Sequence, residues 1–403
     1  MARLFRFEWK KSYGRRSVLL VILLFTVLNF ANIAYSFRSD SWLADSPGWQ
    51  KAYWKLYDQL SGPITQESIH KLRQVYDPLA EKMADFTFNR VQDPNSLTGI
   101  NEYSDYLMME SFYVLPMQNF LEYREKAQRI AENAQENIHL YNRLGNDYES
   151  RKNVKIYHLF VDREIDSFAY TEVWDRLSDY TFSSWLALLV CLFAACNAFS
   201  QEKEVQMCLL LDTTPNGRKK TAAAKCLSAI AFAVLVTLWF SLVDWLGFAW
   251  VYQTFSGCSM PVYALTDFAT SPLQCSLGLY FVLCTGMRIL GTLVFTLLCC
   301  GISSLSSNAL YPFLLSAAIA LGCSGVATAT QNLYHPCWKA FNPASLLFPK
   351  SLFSHTEYWN CCGEPILVPL VTVIFTLLCI ASVIIFLCRK GKPWKSLDMS
   401  LKN

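Results

Sequence analysis

Asp244 and Arg288 each interrupt a long apolar run. A charge in such a place is costly unless it meets an opposite charge, a backbone carbonyl or water. Counted from the outer ends of their runs, Asp244 lies about eight residues in and Arg288 about twelve. At about 1.5 Å of rise per residue, their depths differ by roughly 6 Å. The sequence therefore predicts that the two meet between neighbouring helices, so that reversing both charges restores what either single change loses. Contact with a bound substrate is the second reading of the same pair.

The thiols offer two other chemistries. None of the 15 cysteines falls in residues 38–181, so that segment must be held by its own core and not by bridges. Five cysteines stand clear of the apolar runs: Cys258, Cys275, Cys337, Cys361 and Cys362. A Cys258–Cys275 bridge, a bridge from Cys337 to one of the adjacent pair, and free thiols are all open, because spacing does not fix pairing. His335 and His355 share a segment with three of these cysteines, and thiolate with imidazole can hold zinc or copper. Their spacing matches no compact ligand motif, so no metal is expected. There is no G-x-x-x-x-G-K-[ST], no H-E-x-x-H and no G-x-S-x-G, and His70, His139 and His158 have no evident partners. No catalytic residue is assigned, and the chain reads as a non-enzyme.

Residues 200–225 form a third cluster. Glu202 and Glu204 precede an apolar edge of Met207, Leu210 and Leu211 at helical spacing. Thr214 and Pro215, followed by Asn216 and Gly217, stop that helix, and Arg218 and Lys225 flank the next apolar run. A short amphipathic element tied between two membrane helices can dock in a partner's groove and carry its movement onward.

Six apolar runs must position these groups. The chain has 403 residues, 53% hydrophobic and 17% charged, with a mean hydropathy of +0.22. Soluble globular chains carry about 25% charged residues, so a purely soluble enzyme and a disordered chain are both excluded. The expected spans are 17–37, 180–199, 226–252, 276–302, 309–330 and 366–388, the fourth carrying Arg288 at its middle. Residues 1–16 hold six Lys/Arg and one acid, residues 200–225 five and three, and residues 389–403 five and one. Residues 38–181 hold 16 Lys/Arg against 23 acids. The excess of cations places both termini and the 200–225 loop in the cytoplasm, and the count of six spans puts the uncharged 303–308 turn on the same side. Residues 38–179, 253–275 and 331–365 then lie outside. The first run is too long for a signal peptide and is read as a retained span. The cations flank apolar runs, so lipid is expected as a partner and nucleic acid is not.

The expected fold is an all-α membrane protein with a helical extracytoplasmic domain inserted between the first two spans. In that insert, Ile69, Leu72, Tyr76, Leu79, Met83 and Phe86 form one stripe, and Met117, Phe120, Ala127, Ile130, Ala134, Ile138, Tyr141 and Leu144 a second. Gly145 is the expected stop, and Pro116 separates this helix from one over 102–113. The whole reads as a small bundle on two stalks. Trp49, Tyr53, Trp54 and Tyr57 fit core packing better than a ligand site. Ahead of the first span, Ala2, Phe5, Trp9 and Tyr13 share a face with Arg3, Arg6 and Lys10 off it, the pattern of an amphipathic helix lying in the interface. In the fifth span Ala318 and Gly322 begin a small-residue face that permits close helix approach, within the subunit or between subunits.

The 200–225 pattern resembles the membrane (permease) subunit of ABC transporters of type-2 exporter architecture. That family has an acid after the second span, an apolar run, T-P, an Arg three residues beyond the Pro and a Lys ten beyond it; Glu202, Leu209 to Leu211, Thr214-Pro215, Arg218 and Lys225 fall on those places. Gln206 replaces a common Gly. The six-span layout with a large insert looks like permeases common in Gram-positive bacteria, which implies a bacterial plasma membrane. The resemblance further implies a separate cytoplasmic ATPase carrying ATP and Mg, no cofactor on this chain, a second permease subunit of the same or a sister chain, and ATP-driven export. A membrane sensor or scaffold, with a ligand on its outer domain and a cytoplasmic partner, is the alternative. A secondary transporter fits less well, because no internal repeat is visible.

Overall fold

The computed structural model describes residues 1–40, 49–85, 87, 91–204, 217–252, 255–330 and 336–390. The chain is overwhelmingly helical, and six helices are long and apolar enough to cross a membrane. Their order is Arg16–Asp40, Phe182–Ala195 with its continuation Asn197–Glu204, Gly217–Tyr252, Leu277–Ser303, Leu310–Ala329 and Val368–Lys390. The fourth is the centre and packs against the second, third, fifth and sixth, while the first lies on the second and third. Leu19, Leu20, Leu23 and Leu24 of the first helix are exposed, as are Leu314 and Leu321 of the fifth and Leu370 and Leu378 of the sixth. Exposed leucines at this density suit contact with lipid, not water. Pro312, Ser316, Ala320 and Ser324 turn the fifth helix inward, leaving Ala318 and Gly322 exposed.

Two boundaries differ from those the sequence suggests. The third helix starts at Gly217, not at 226, because Lys219, Lys220 and Lys225 are good helix formers and lengthen it into the polar region. The second breaks after Ala195. Ser303 Oγ fills the break: it donates to the Cys196 carbonyl (2.7 Å) and accepts from the amides of Phe199 (3.2 Å) and Ser200 (3.0 Å). A single hydroxyl thus satisfies backbone groups that a corner in a helix would otherwise leave bare.

The insert between the first two spans is helical, with Trp49–Leu60, Gln66–Ala84, Glu102–Met109, Leu115–Arg143, Asp147–Phe160 and Glu172–Asp179. Thr65 and Ser68 cap the second of these reciprocally. Gly145, at φ +69°, ends the long helix as expected, and Asn146 caps the next. Pro116 does not separate two helices. A π-turn at Glu110–Val114 links Glu102–Met109 to Leu115–Arg143, and Pro116 sits in the first turn after it, where its missing N–H costs little. Tyr53 is fully buried, and Tyr113 donates to its carbonyl at 2.6 Å; Trp54 packs edge-on to it. The aromatic stripe is core here, with the Trp49 side chain outside the described residues.

The insert is not a bundle on stalks. Its core is continuous with residues 255–276, the segment before the sixth span, and the ends of the spans: Phe168 and Tyr170 share one cluster with Ile33, Val262, Phe268 and Tyr280. Tyr123 donates to the Ala269 carbonyl at 3.0 Å, Trp174 to that of Ser256 at 3.0 Å and Lys155 to that of Pro365 at 2.6 Å. Arg163 lies over the rings of Phe160 and Tyr263. Gly257, at φ +80°, brings its backbone so close to Tyr170 that a Cβ would stand 2.8 Å from the carbonyl oxygen. Three segments distant in sequence thus make one roof over one end of the helices. A hairpin of Tyr358–Cys361 against Glu364–Leu367 finishes it.

Candidate functional site

At the end away from the roof, the start of the chain, the end of the second span and the start of the third converge on Glu202. Its two oxygens meet Lys11 Nζ at 2.7 Å and Lys225 Nζ at 2.6 Å. Lys225 is only 2% exposed. It also donates to the Ala198 carbonyl at 2.6 Å and stands 4.5 Å from the centre of the Phe199 ring. Arg15 donates to Gln201 at 2.6 Å, and Lys203 to the Ser304 carbonyl at 2.5 Å, which ties the same corner to the fourth span. The arrangement is a clasp with a buried cation at its centre and no reacting group within it.

Sequence reasoning expected Glu202 and Lys225 to face a partner. The structure turns both inward, because each finds its counter-charge inside the chain and a buried ammonium is tolerable only when fully bonded. Glu204, two residues on, is exposed. Met207, Leu210, Leu211, Thr214 and Pro215 lie outside the described residues, as does the side chain of Arg218, which falls in the first turn of the third helix. The clasp therefore holds both ends of segment 205–216.

The lead-in helix, Ala2–Glu8 with a π-turn over Trp9–Tyr13, is what Lys11 anchors. The C-terminal part of its aromatic face turns onto the chain itself. Trp9 and Tyr13 pack on Phe232 of the third span at 6.0 and 4.6 Å between ring centres, and Tyr13 is buried. Glu8 is buried as well, and its Oε2 finds no partner among the described residues. Burial pushes the Glu8 carboxyl above the ordinary range, with Lys225 and Lys11 pulling it back. A carboxyl raised on folding favours the protonated fold, so its contribution is present at low pH and is lost as pH rises through the raised value. Thermal unfolding in detergent should therefore show stability falling as pH climbs from the ordinary carboxylate value of 4.5. Glu8→Gln should flatten that fall and add about 1 kcal/mol at neutral pH. An unchanged pH profile in Glu8→Gln contradicts this.

Inside the helices, Asp244 and Arg288 are brought together, with Nη1 3.5 Å from Oδ2. Asp244 is wholly buried and also accepts from Asn29 Nδ2 at 2.7 Å and Ser183 Oγ at 2.5 Å. Arg288 Nη2 donates to the Tyr180 carbonyl at 2.9 Å, and the Tyr180 hydroxyl donates to Asn29 Oδ1 at 2.8 Å. This network stitches the first four spans together. Sequence reasoning missed Asn29, Ser183 and Tyr180; Asn29, one of two amides in the first apolar run, was the available signal. Arg288 also lines a cavity of about 430 Å³ with Ser324, Thr328, Asp179 and Lys350. Pairing and cavity lining thus coexist at one residue.

Of the alternatives left open for the five cysteines, the structure shows free thiols at Cys258, Cys275, Cys337, Cys361 and Cys362. Cys258 sulfur sits in the notch of Gly278, beyond Cys275, where a Cβ would be 2.4 Å away. Cys361 and Cys362 are exposed at the hairpin turn. His335 lies outside the described residues, and His355 Nδ1 meets Thr270 Oγ1 at 2.9 Å. Asp175, Asp179 and Asp267 are the acids close enough together to share a cation among the described residues. Lys350 already supplies one, bonded to Asp179 and, at 2.6 Å, to Asp267. No protein-family model matches the chain, and no curated protein matches it.

Proposed function

We propose that this chain is the membrane-spanning permease subunit of an ATP-driven exporter of the ABC type, working as a dimer and driven through segment 205–216 by a separate cytoplasmic ATPase. The observation that carries the reading is the clasp. Lys11, Glu202 and Lys225 lock the lead-in helix and the second and third spans into one body at the two ends of that segment. In this reading, movement delivered to residues 204 and 217 is carried by the helices together. The Ser303-filled corner and the Lys203–Ser304 bond pass the same movement to the fourth span, which carries Arg288 and the cavity beside it. In this reading the roof faces outside, the charged tail and clasp face the cytoplasm, and the cavity is part of the substrate path.

The test is co-purification. The chain expressed with its neighbouring genes should bring down a Walker-motif ATPase. Glu204→Lys and Arg218→Glu should cut its recovery at least about tenfold, roughly the loss of 1.4 kcal/mol, while leaving the unfolding temperature unchanged. Glu202→Lys is unsuitable for this purpose, since it breaks the clasp as well. Recovery of a kinase or regulator in place of an ATPase would favour the sensor reading, and transport without any nucleotide-hydrolysing companion would defeat the proposal.

A further inference from the structure

The lead-in helix divides its cations by what they meet. Lys11 and Arg15 are taken up by Glu202 and Gln201. Arg3 and Arg6 are exposed, and no acid pairs with either among the described residues. Both line a crevice of about 520 Å³ between this helix and the third span. Phe5 and Trp9 form one wall, Ala231 and Leu235 the other, and no carboxylate is present in the lining. Leu235 is 56% exposed, so the crevice is continuous with the apolar outer face of the third span.

We propose that this crevice seats one acidic phospholipid, its acyl chain along Ala231 and Leu235 and its phosphate at Arg3 and Arg6. The chemistry selects an amphiphile with an anionic head. Two guanidinium groups, planar and weakly hydrated, match phosphate oxygens, while the remaining lining offers only apolar contact. Zwitterionic lipid would bring its own cation to a place without an acid. In this arrangement lipid grips the lead-in helix at Arg3 and Arg6, and the clasp grips it at Lys11. Lipid occupancy therefore stabilises the clasp. The inference rests on the six helices lying in a bilayer; it does not depend on the exporter reading and survives failure of the ATPase test.

Native mass spectrometry of the detergent-purified full chain tests it, with phosphatidylglycerol, phosphatidylcholine or inorganic phosphate titrated in. One phosphatidylglycerol should be retained in preference to phosphatidylcholine and should raise the unfolding temperature. Arg3→Ala with Arg6→Ala should weaken its retention about thirtyfold. Lys219→Ala with Lys220→Ala removes equal charge outside the crevice and should leave retention within about twofold. Ala231→Phe, which fills the crevice without touching charge, should also abolish the preference. Equal retention of both lipids overturns the proposal. So does an equal loss in the two double variants, or free phosphate displacing phosphatidylglycerol and stabilising the chain as fully.

Discussion

Asp244→Asn lowers the unfolding free energy by about 3–5 kcal/mol, because it leaves a largely buried guanidinium without its counter-charge. Arg288 is 6% exposed, and its remaining contact is a single carbonyl, that of Tyr180. Asp244→Asn with Arg288→Gln should recover most of the loss, since no charge is then left buried. Reversing both charges should not. Asn29 is oriented by the Tyr180 hydroxyl so that its amide nitrogen donates toward position 244. A guanidinium there has no acceptor to offer, and a carboxylate at 288 would face the Tyr180 carbonyl. The neighbours that orient the two charges thus predict against the rescue by double reversal that the charges alone suggest. Equilibrium unfolding in detergent decides: a change under about 1 kcal/mol in Asp244→Asn shows that the pair is solvated.

Glu202→Ala should be as severe, about 3–5 kcal/mol, and should have a local signature. It leaves Lys225 buried with a carbonyl and a ring face, and it frees Lys11. The lead-in helix should then lift from Phe232, and trypsin should cut after Lys10, Lys11 and Arg15 well before the rest of the chain. Lys11→Ala should expose the same sites with little global loss, since Lys11 is partly solvated at 20% exposure. Glu202→Leu with Lys225→Met should restore much of the stability of Glu202→Ala without restoring protection of the lead-in helix. Protection unchanged in Glu202→Ala would mean that the aromatic contacts alone hold that helix.

What could be read from the sequence was whatever a local stretch declares by itself. Six apolar runs, the caps around Gly145 and the core stripe from Met117 to Ala134 each depend on residues within a few turns of one another. The charge pair was legible because an ion in an apolar run has few places to go. The clasp was not. Lys11 and Glu202 are 191 positions apart, and a charged residue beside a loop is ordinarily solvated, so Glu202 and Lys225 read as surface. The corner at Cys196 depends on Ser303, 107 positions away, and nothing near residue 196 announces it. Pro116 misled for the opposite reason: its local preference was right, but a π-turn upstream moved the helix start to meet it. The state of the thiols stayed open in the sequence, because spacing carries no information on which way a sulfur points.

The shared core of the roof has a practical consequence for anyone wishing to study the insert by itself. Residues 49–179, cut free, would bare Tyr123 where Tyr263 now stacks on it, and Trp174 where Phe255 now packs edge-on. Excision would yield a sticky remnant, whereas fusing residues 255–276 back by a short linker would return the missing lid.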